Sequence, residues 1–208
     1  MKNMDYSEKQ ILVGSQNIKE KKFWLNELSD LPEKSRFPYD HDIKKTGPLE
    51  SDIDAVTFTM TDELFTKLTA LSNHSDVRLH FILVAGLVAL LRKYIPHRDD
   101  IFIGVPIYKQ TSEGRFINTV LPVRNRLRES MTFKELILQV GQNILKAGEN
   151  QNFPIETLFQ QLNIPYSEQE DFPLFDISIL LENIHHKEYI RHIRHNMTFS
   201  FLRDNGHI

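Results

Sequence analysis

The sequence predicts an α/β domain in which a mixed β-sheet carries flanking helices. Two kinds of segment point there. Residues 101–107, Ile-Phe-Ile-Gly-Val-Pro-Ile, and 174–181, Leu-Phe-Asp-Ile-Ser-Ile-Leu-Leu, are short and nearly continuous apolar runs, the pattern of strands covered on both faces. Residues 79–94 and 132–148 place apolar side chains at helical spacing over stretches long enough to cover such a sheet.

Taken in order, 11–28 reads as a helix with Ile18, Phe23, Trp24, Leu25 and Leu28 on one side and Lys and Glu on the other. Residues 31–51, with Pro32, Pro38, Gly47 and Pro48, read as a surface connector. Residues 54–60 alternate with period two and predict a strand, and Thr61-Asp62-Glu63 supplies the cap and acidic first turn of a helix running to about Ser72. Asn73, His74 and Ser75 break it before the apolar helix 79–94, where Ala85, Gly86 and Ala89 would admit close neighbours. Residues 96–100 turn the chain into the 101–107 strand, and 114–124 reads as a second strand or extended segment in which Phe116 and Ile117 belong to the core.

Thr132 caps a helix that Gly148 should stop. Pro154 precedes a short helix over 155–162, at a position where its missing N–H is harmless. An acidic loop, 165–173, leads to the 174–181 strand, and 197–202 alternates like one more. The last residues, 204–208, read as a hairpin turn and the start of a further strand, so the sequence is expected to continue. Residues 1–52, a helix with its proline-containing connector, precede an α/β lobe over 53–208, and the two form one structural domain.

Composition narrows the function. With 208 residues, 40% hydrophobic and 25% charged, the chain can bury a sizeable core. A formal charge of −3 with interspersed signs gives no field suited to nucleic acid. The absence of cysteine excludes disulfides and thiolate metal sites and fits a reducing compartment. The first six residues lack an apolar signal region, and the longest apolar run, 81–91, is too short to span a bilayer. A cytoplasmic protein with neither nucleic-acid nor membrane partners is expected.

Six motifs in order resemble the C-terminal half of a condensation domain of nonribosomal peptide synthetases, in the chloramphenicol-acetyltransferase-like superfamily. Lys22-Phe23-Trp24-Leu25-Asn26-Glu27-Leu28 with Leu31-Pro32 is similar to the family's aromatic-Trp helix and connector. Residues 83–94 with Asp99-Asp100-Ile101 and 103–107 are similar to its long helix and DDIVVGTPI strand. Gly114, Phe116, Asn118, Thr119 and Arg124 match its G-x-F-V-N-T…R core motif, with Ile117 in the Val position. Asn150, Gln151, Pro154 and Glu156 match its H/N-Q-D-Y/V-P-F-E motif, from which Asn152 and Ile155 depart. Residues 172–175, Phe-Pro-Leu-Phe, and Leu181-Glu182-Asn183 resemble its S-R-x-P-L-F and L-x-N signatures, without the Ser-Arg pair.

The resemblance implies a lobe lacking the family's catalytic H-H-x-x-x-D-G motif, which lies in the other half. The adjacent pair His185-His186 is followed by Lys187-Glu188-Tyr189, so neither the Asp nor the Gly is present. The loop 108–113 is also shorter than is usual before the core motif. No catalytic residue is therefore assigned, and no Gly-x-Ser-x-Gly elbow offers a nucleophile. The core-motif residues are expected to shape structure or a tunnel wall. His185, His186, His192 and His195 with interleaved Arg191 and Arg194 read as a solvated loop, and no metal site is expected. No cofactor is expected on this chain, and the family implies phosphopantetheine on a partner carrier protein.

Two readings follow. In one, the lobe is a truncated, noncatalytic platform at the N-terminus of a synthetase, docking an adjacent adenylation domain or another synthetase domain and a peptidyl carrier protein. In the other, it is half of an active enzyme that forms amide bonds between carrier-bound thioesters, with the H-H-x-x-x-D-G lobe supplied by another chain.

Overall fold

The computed structural model describes residues 18–37, 54–95, 98–110, 116–167, 170–204 and 206–208. Its centre is a four-stranded mixed sheet of β1 (Asp100–Pro106), β2 (Val120–Arg126), β3 (Ile177–Leu181) and β4 (Met197–Phe201), in the order β2-β1-β3-β4. β1 and β2 are antiparallel, with Ile103 opposite Val123, whereas β1 with β3 and β3 with β4 run parallel. The inner strands β1 and β3 are buried almost throughout, as their continuous apolar runs require.

Among the described residues five α-helices accompany the sheet: α1 (Ile18–Glu27), α2 (Asp62–Leu71), α3 (Asp76–Tyr94), α4 (Phe133–Glu149) and α5 (Thr157–Gln161). A 3-10 turn, Lys187–Tyr189, lies in the crossover from β3 to β4. α3 and α4 pack on each other, α4 against β2 and α3 against β3. Trp24 and Leu28 of the first helical segment enter the same core as the sheet residues. The expected boundary between 1–52 and 53–208 falls outside the described residues.

Local chemistry sets the helix ends. The Glu135 N–H donates to Thr132 Oγ1 at 3.2 Å and the Thr132 N–H donates to Glu135 Oε2 at 2.8 Å, a capping box that starts α4. Ser75 Oγ accepts from the Arg78 N–H at 3.4 Å and starts α3 at Asp76, three residues earlier than the apolar periodicity indicates. Asn73 and His74 take left-handed backbone angles, φ 50° and 58°, which turn the chain so that α2 and α3 meet at 113°. No single helix among the described residues is long and apolar enough to cross a membrane.

Four expectations need correction. Residues 54–60 are not a strand, and Val56 and Phe58 are 90% and 75% exposed. Alternation marks an apolar face but does not supply a neighbour. The segment joins the rest through the Met60 N–H, which donates to the Ile208 carbonyl at 2.9 Å. Gly148 does not end α4, which runs on to Glu149 and is closed by the Asn150 N–H donating to the Ala147 carbonyl at 3.1 Å. α5 begins at Thr157, because a turn over 154–157 closes first, with the Thr157 N–H on the Pro154 carbonyl at 3.1 Å. Gly86 meets nothing that a Cβ would disturb, and the close helix contact falls instead at Gly141, where a Cβ would come within 2.8 Å of the Phe81 ring.

Chain reversal over 204–207 does form as a hairpin, with Asp204 and His207 exchanging main-chain bonds of 3.0 and 2.8 Å and Gly206 at φ 91°.

Gly104 gives the sharpest packing test. A Cβ there would overlap the ring of Phe175, which is fully buried. Gly104→Ala is expected to destabilise the domain by about 1–3 kcal/mol through overpacking, whereas Gly86→Ala should leave stability unchanged or raise it by up to about 1 kcal/mol. Urea unfolding midpoints of the two variants check this contrast.

Candidate functional site

The core-motif residues converge on one junction where α1, β2 and the loop after α4 meet. Arg124, on β2, is buried, and every one of its five N–H groups has an acceptor. Nε donates to Asp100 Oδ1 and Oδ2 at 2.9 and 3.0 Å, and Nη2 donates to Asp100 Oδ2 at 2.5 Å. Nη1 reaches the carbonyls of Glu27 and Ser29 at 2.6 and 2.7 Å, and Nη2 reaches that of Asp30 at 3.0 Å. These carbonyls stand at and beyond the C-terminus of α1, where intrahelical donors run out and a positive charge complements the helix dipole. Asp30 turns the chain away at φ 51°. The guanidinium also lies 5.3 Å from the centre of the Phe102 ring.

Asn118 is a second clamp. Its Nδ2 donates to the carbonyls of Gln151 and Phe153, both at 2.6 Å, and its Oδ1 accepts from the Ile155 N–H at 3.4 Å. One amide side chain thus splints the turn 151–155 and joins the two motifs that the sequence presents separately. Asn150 ties in α1, because its carbonyl accepts from Trp24 Nε1 at 2.7 Å, while its own Nδ2 donates to the Lys146 carbonyl at 2.8 Å. Thr119 Oγ1 donates to the Tyr189 carbonyl at 2.8 Å and lies 3.2 Å from His192 Nε2.

Pro154 is buried and Glu156 and Gln151 are half-buried around this turn. Phe116 and Ile117 are only half-buried, Phe116 resting edge-on against Tyr189. Gly114 lies outside the described residues.

The histidines are not all solvated as the sequence reading expects, because His185 packs into the interior just past β3 and His195 is held between β3 and β4. His185 is buried, whereas His186 and His192 face solvent. Among the described residues no group of three or more His, Asp or Glu converges as a metal site. His195 instead bonds Ser178 Oγ and Thr198 Oγ1, both at 2.7 Å from its Nε2, with Nδ1 2.8 Å from the Ile193 carbonyl. A serine, an imidazole and an orienting carbonyl have the form of an activated nucleophile. Ser178 is 0% exposed inside β3, however, so substrate has no approach and the network serves to satisfy buried polar groups.

Burial lowers the His195 pKa, opposed by its bond to Ile193 and by the charges of Asp176 and Asp171. Sequence patterning missed this network, because Ser178 and Thr198 are single polar residues within strands and His195 reads in sequence as part of a solvated His/Arg loop.

With the geometry established, comparison with known proteins is informative. The family model described as Condensation domain matches residues 2–204. Bacitracin synthase 1 of Bacillus licheniformis is 32% identical over 188 residues, covering 86% of this chain and 4% of that protein. Tyrocidine synthase 2 of Brevibacillus parabrevis is 36% identical over 134 residues, covering 62% of this chain and 4% of the synthase. The chain therefore spans about 4% of the length of these relatives. Among solved structures, the starter condensation domain of rhizomide synthetase superposes with a TM-score of 0.61 at 20% identity, over 84% of this chain and 38% of that one. The X-domain solved with OxyB from teicoplanin biosynthesis gives 0.66 at 18% identity, over 83% and 40%.

Two outcomes test the junction and the His195 network. Arg124→Met removes the cation from Asp100 and leaves three carbonyls without donors, and should cost about 3 kcal/mol or more. Trp24 emission should shift to the red in the variant as α1 loosens, which fluorescence reads directly. For His195, the folded-state pKa lies below the unfolded value of 6.5, so its contribution is present above 6.5 and is lost as pH falls through the lowered value. His195→Asn should reduce the acid-side slope of stability against pH by up to about 1.4 kcal/mol per pH unit, measured by denaturant unfolding across that range.

Proposed function

The chain belongs to the condensation-domain family, and from that premise we propose that it is a noncatalytic condensation-like lobe of a nonribosomal peptide synthetase, serving as a structural or docking platform for a neighbouring synthetase domain. The observation that carries this reading is chemical. Amide formation needs a positioned imidazole to deprotonate or orient the acceptor amine. The chain has no H-H-x-x-x-D-G sequence, and the first histidine of its pair, His185, is buried with Nδ1 against the main chain of Leu181 at 3.1 Å.

The surface supports a binding role. Val56 and Phe58 are exposed side by side along one segment, with Leu64 and Leu71 on the helix that follows it, and exposed apolar side chains of this kind suit a binding surface. The match to the X-domain, which is solved as a complex with OxyB, is consistent with a platform built on this fold. The partners of this reading are an adjacent adenylation domain and a peptidyl carrier protein bearing phosphopantetheine, with the lobe working in the cytoplasm.

The alternative, an active enzyme assembled with an H-H-x-x-x-D-G lobe from another chain, is favoured by one fact. The chain covers only 38% of a complete condensation domain, the starter domain of rhizomide synthetase.

A condensation assay with aminoacyl-loaded carrier proteins separates the readings. The platform predicts no dipeptide above background, with or without an added H-H-x-x-x-D-G lobe, and chemical crosslinks from the 54–71 region to the adjacent adenylation domain. Product that requires both lobes overturns it in favour of the split enzyme.

A further inference from the structure

Two histidines are buried side by side in the interior: His80, 0% exposed, and His185, 1% exposed, with ring centres 4.5 Å apart. They come from different elements. His80 lies in the second turn of α3 and His185 just past β3, while Tyr108, just past β1, stacks on His185 at 5.4 Å. β1 and β3 are parallel neighbours, and the Lys109 N–H donates to the Ile184 carbonyl at 2.8 Å beyond their carboxyl ends. The histidine contact therefore joins α3 to the place where two inner strands end.

Hydrogen bonding at this joint suits neutral rings. Both nitrogens of His80, Nε2 of His185 and the Tyr108 hydroxyl have no partner among the described residues. His185 Nδ1 accepts from the Leu181 N–H at 3.1 Å, which leaves the ring proton on Nε2. A second proton on that ring has to go to Nδ1 and turns it from acceptor to donor. The Leu181 carbonyl, also 3.1 Å away, would take that donor, but the Leu181 N–H would then lose its acceptor. Protonation thus exchanges one main-chain bond for another and gains none.

The charges that bear on the two rings oppose a proton as well, His185 acting on His80 and Lys109 on His185. Lys109 Nζ itself donates to the Glu182 carbonyl at 2.7 Å. The flanking carboxylates are engaged: Asp76, one turn before His80 on α3, pairs with Arg203 at 2.9 Å, and Glu182 pairs with Lys187 at 2.7 Å. Tyr108 is neutral, its hydroxyl pushed up to about 12 by burial. A buried cation without a partner is costly, and burial accordingly lowers both histidines, His185 to about 4.

We infer that the His80–His185 contact is an acid-operated latch: with both rings neutral it closes α3 against the ends of β1 and β3, and protonation opens that joint and frees the turn 181–185. Both folded-state values lie below the unfolded 6.5, so the latch contributes in full above 6.5 and is lost as pH falls from there toward about 4. An open joint takes up as many as two protons, so its opening constant rises by up to about a hundredfold per pH unit in this window.

The test is native-state hydrogen exchange of the 208-residue chain, read by NMR across this pH range and corrected for the intrinsic pH dependence of exchange. Protection of the Lys109 and His185 amides should fall by up to about a hundredfold per pH unit below 6.5, with a far smaller fall at the Val140 amide of α4. His80→Phe, and His185→Asn, which keeps an acceptor for the Leu181 N–H, should each reduce the fall to about tenfold per pH unit or less. His186→Ala, at the exposed neighbour of His185, should leave the parent profile unchanged. Flat protection at Lys109 and His185 overturns the latch, and so does an equal fall at Val140, which would mean global unfolding. Both are read on the parent chain, so the test stays decisive if a variant fails to fold. An undiminished fall in His80→Phe overturns it too.

Discussion

The fold depends on how Arg124 is held. Its guanidinium is the only group in the junction that touches α1, β1 and β2 together, through the carbonyls of 27, 29 and 30 and the carboxylate of Asp100. Lysine could not replace it, because a single ammonium has neither the fork that grips a carboxylate in two places nor enough donors for three carbonyls. Burying a cation is costly unless it is paired, and here the pairing is complete. α1 has only Trp24 fully buried among its own residues, so the helix is anchored by one indole and by the charge at its C-terminus.

Asn118 extends the same logic to the loop after α4. Its amide donates to two carbonyls and accepts from one N–H, so the turn 151–155 is held by a residue more than thirty positions earlier. Trp24 and Asn150 close the circuit back to α1. A side chain that presents itself to substrate needs an unused donor or acceptor, and Arg124 and Asn118 have theirs engaged within the lobe. The junction is accordingly a device for fixing three chain segments against each other, on which any surface the lobe offers to a partner must rest.

Legibility in the sequence followed the range of the interactions. β1 and β3 could be read because a strand buried on both faces must be apolar along its length, and α4 because its capping box is contained within four residues. The same local logic failed for 54–60, where alternation is present but no neighbouring strand is, among the described residues. It failed for the glycines too. Gly86 sits among small residues yet faces nothing, while Gly104 and Gly141 are constrained by Phe175 and Phe81, which are distant in sequence. At the candidate site Arg124 and Asn118 stood out by motif, but their partners did not, since Glu27 is 97 residues from Arg124 and Gln151 is 33 from Asn118.

The interior and the surface of this lobe thus answer different requirements. In the interior β1, β2 and β3 are buried, and the N-terminal helix is locked by the paired donors of Arg124 and Trp24. The surface around 54–71 is not so held, since Val56 and Phe58 stand out where a strand pattern would place a buried face, and α2 buries no residue completely. The Met60 N–H donates to the Ile208 carbonyl, just past the hairpin that follows β4, and β4 is the last strand in the order of the described sheet. A sheet edge beside exposed apolar side chains is a combination readily covered by another polypeptide. Val56 and Phe58 thus lack the burial that their alternation would give them in a paired strand.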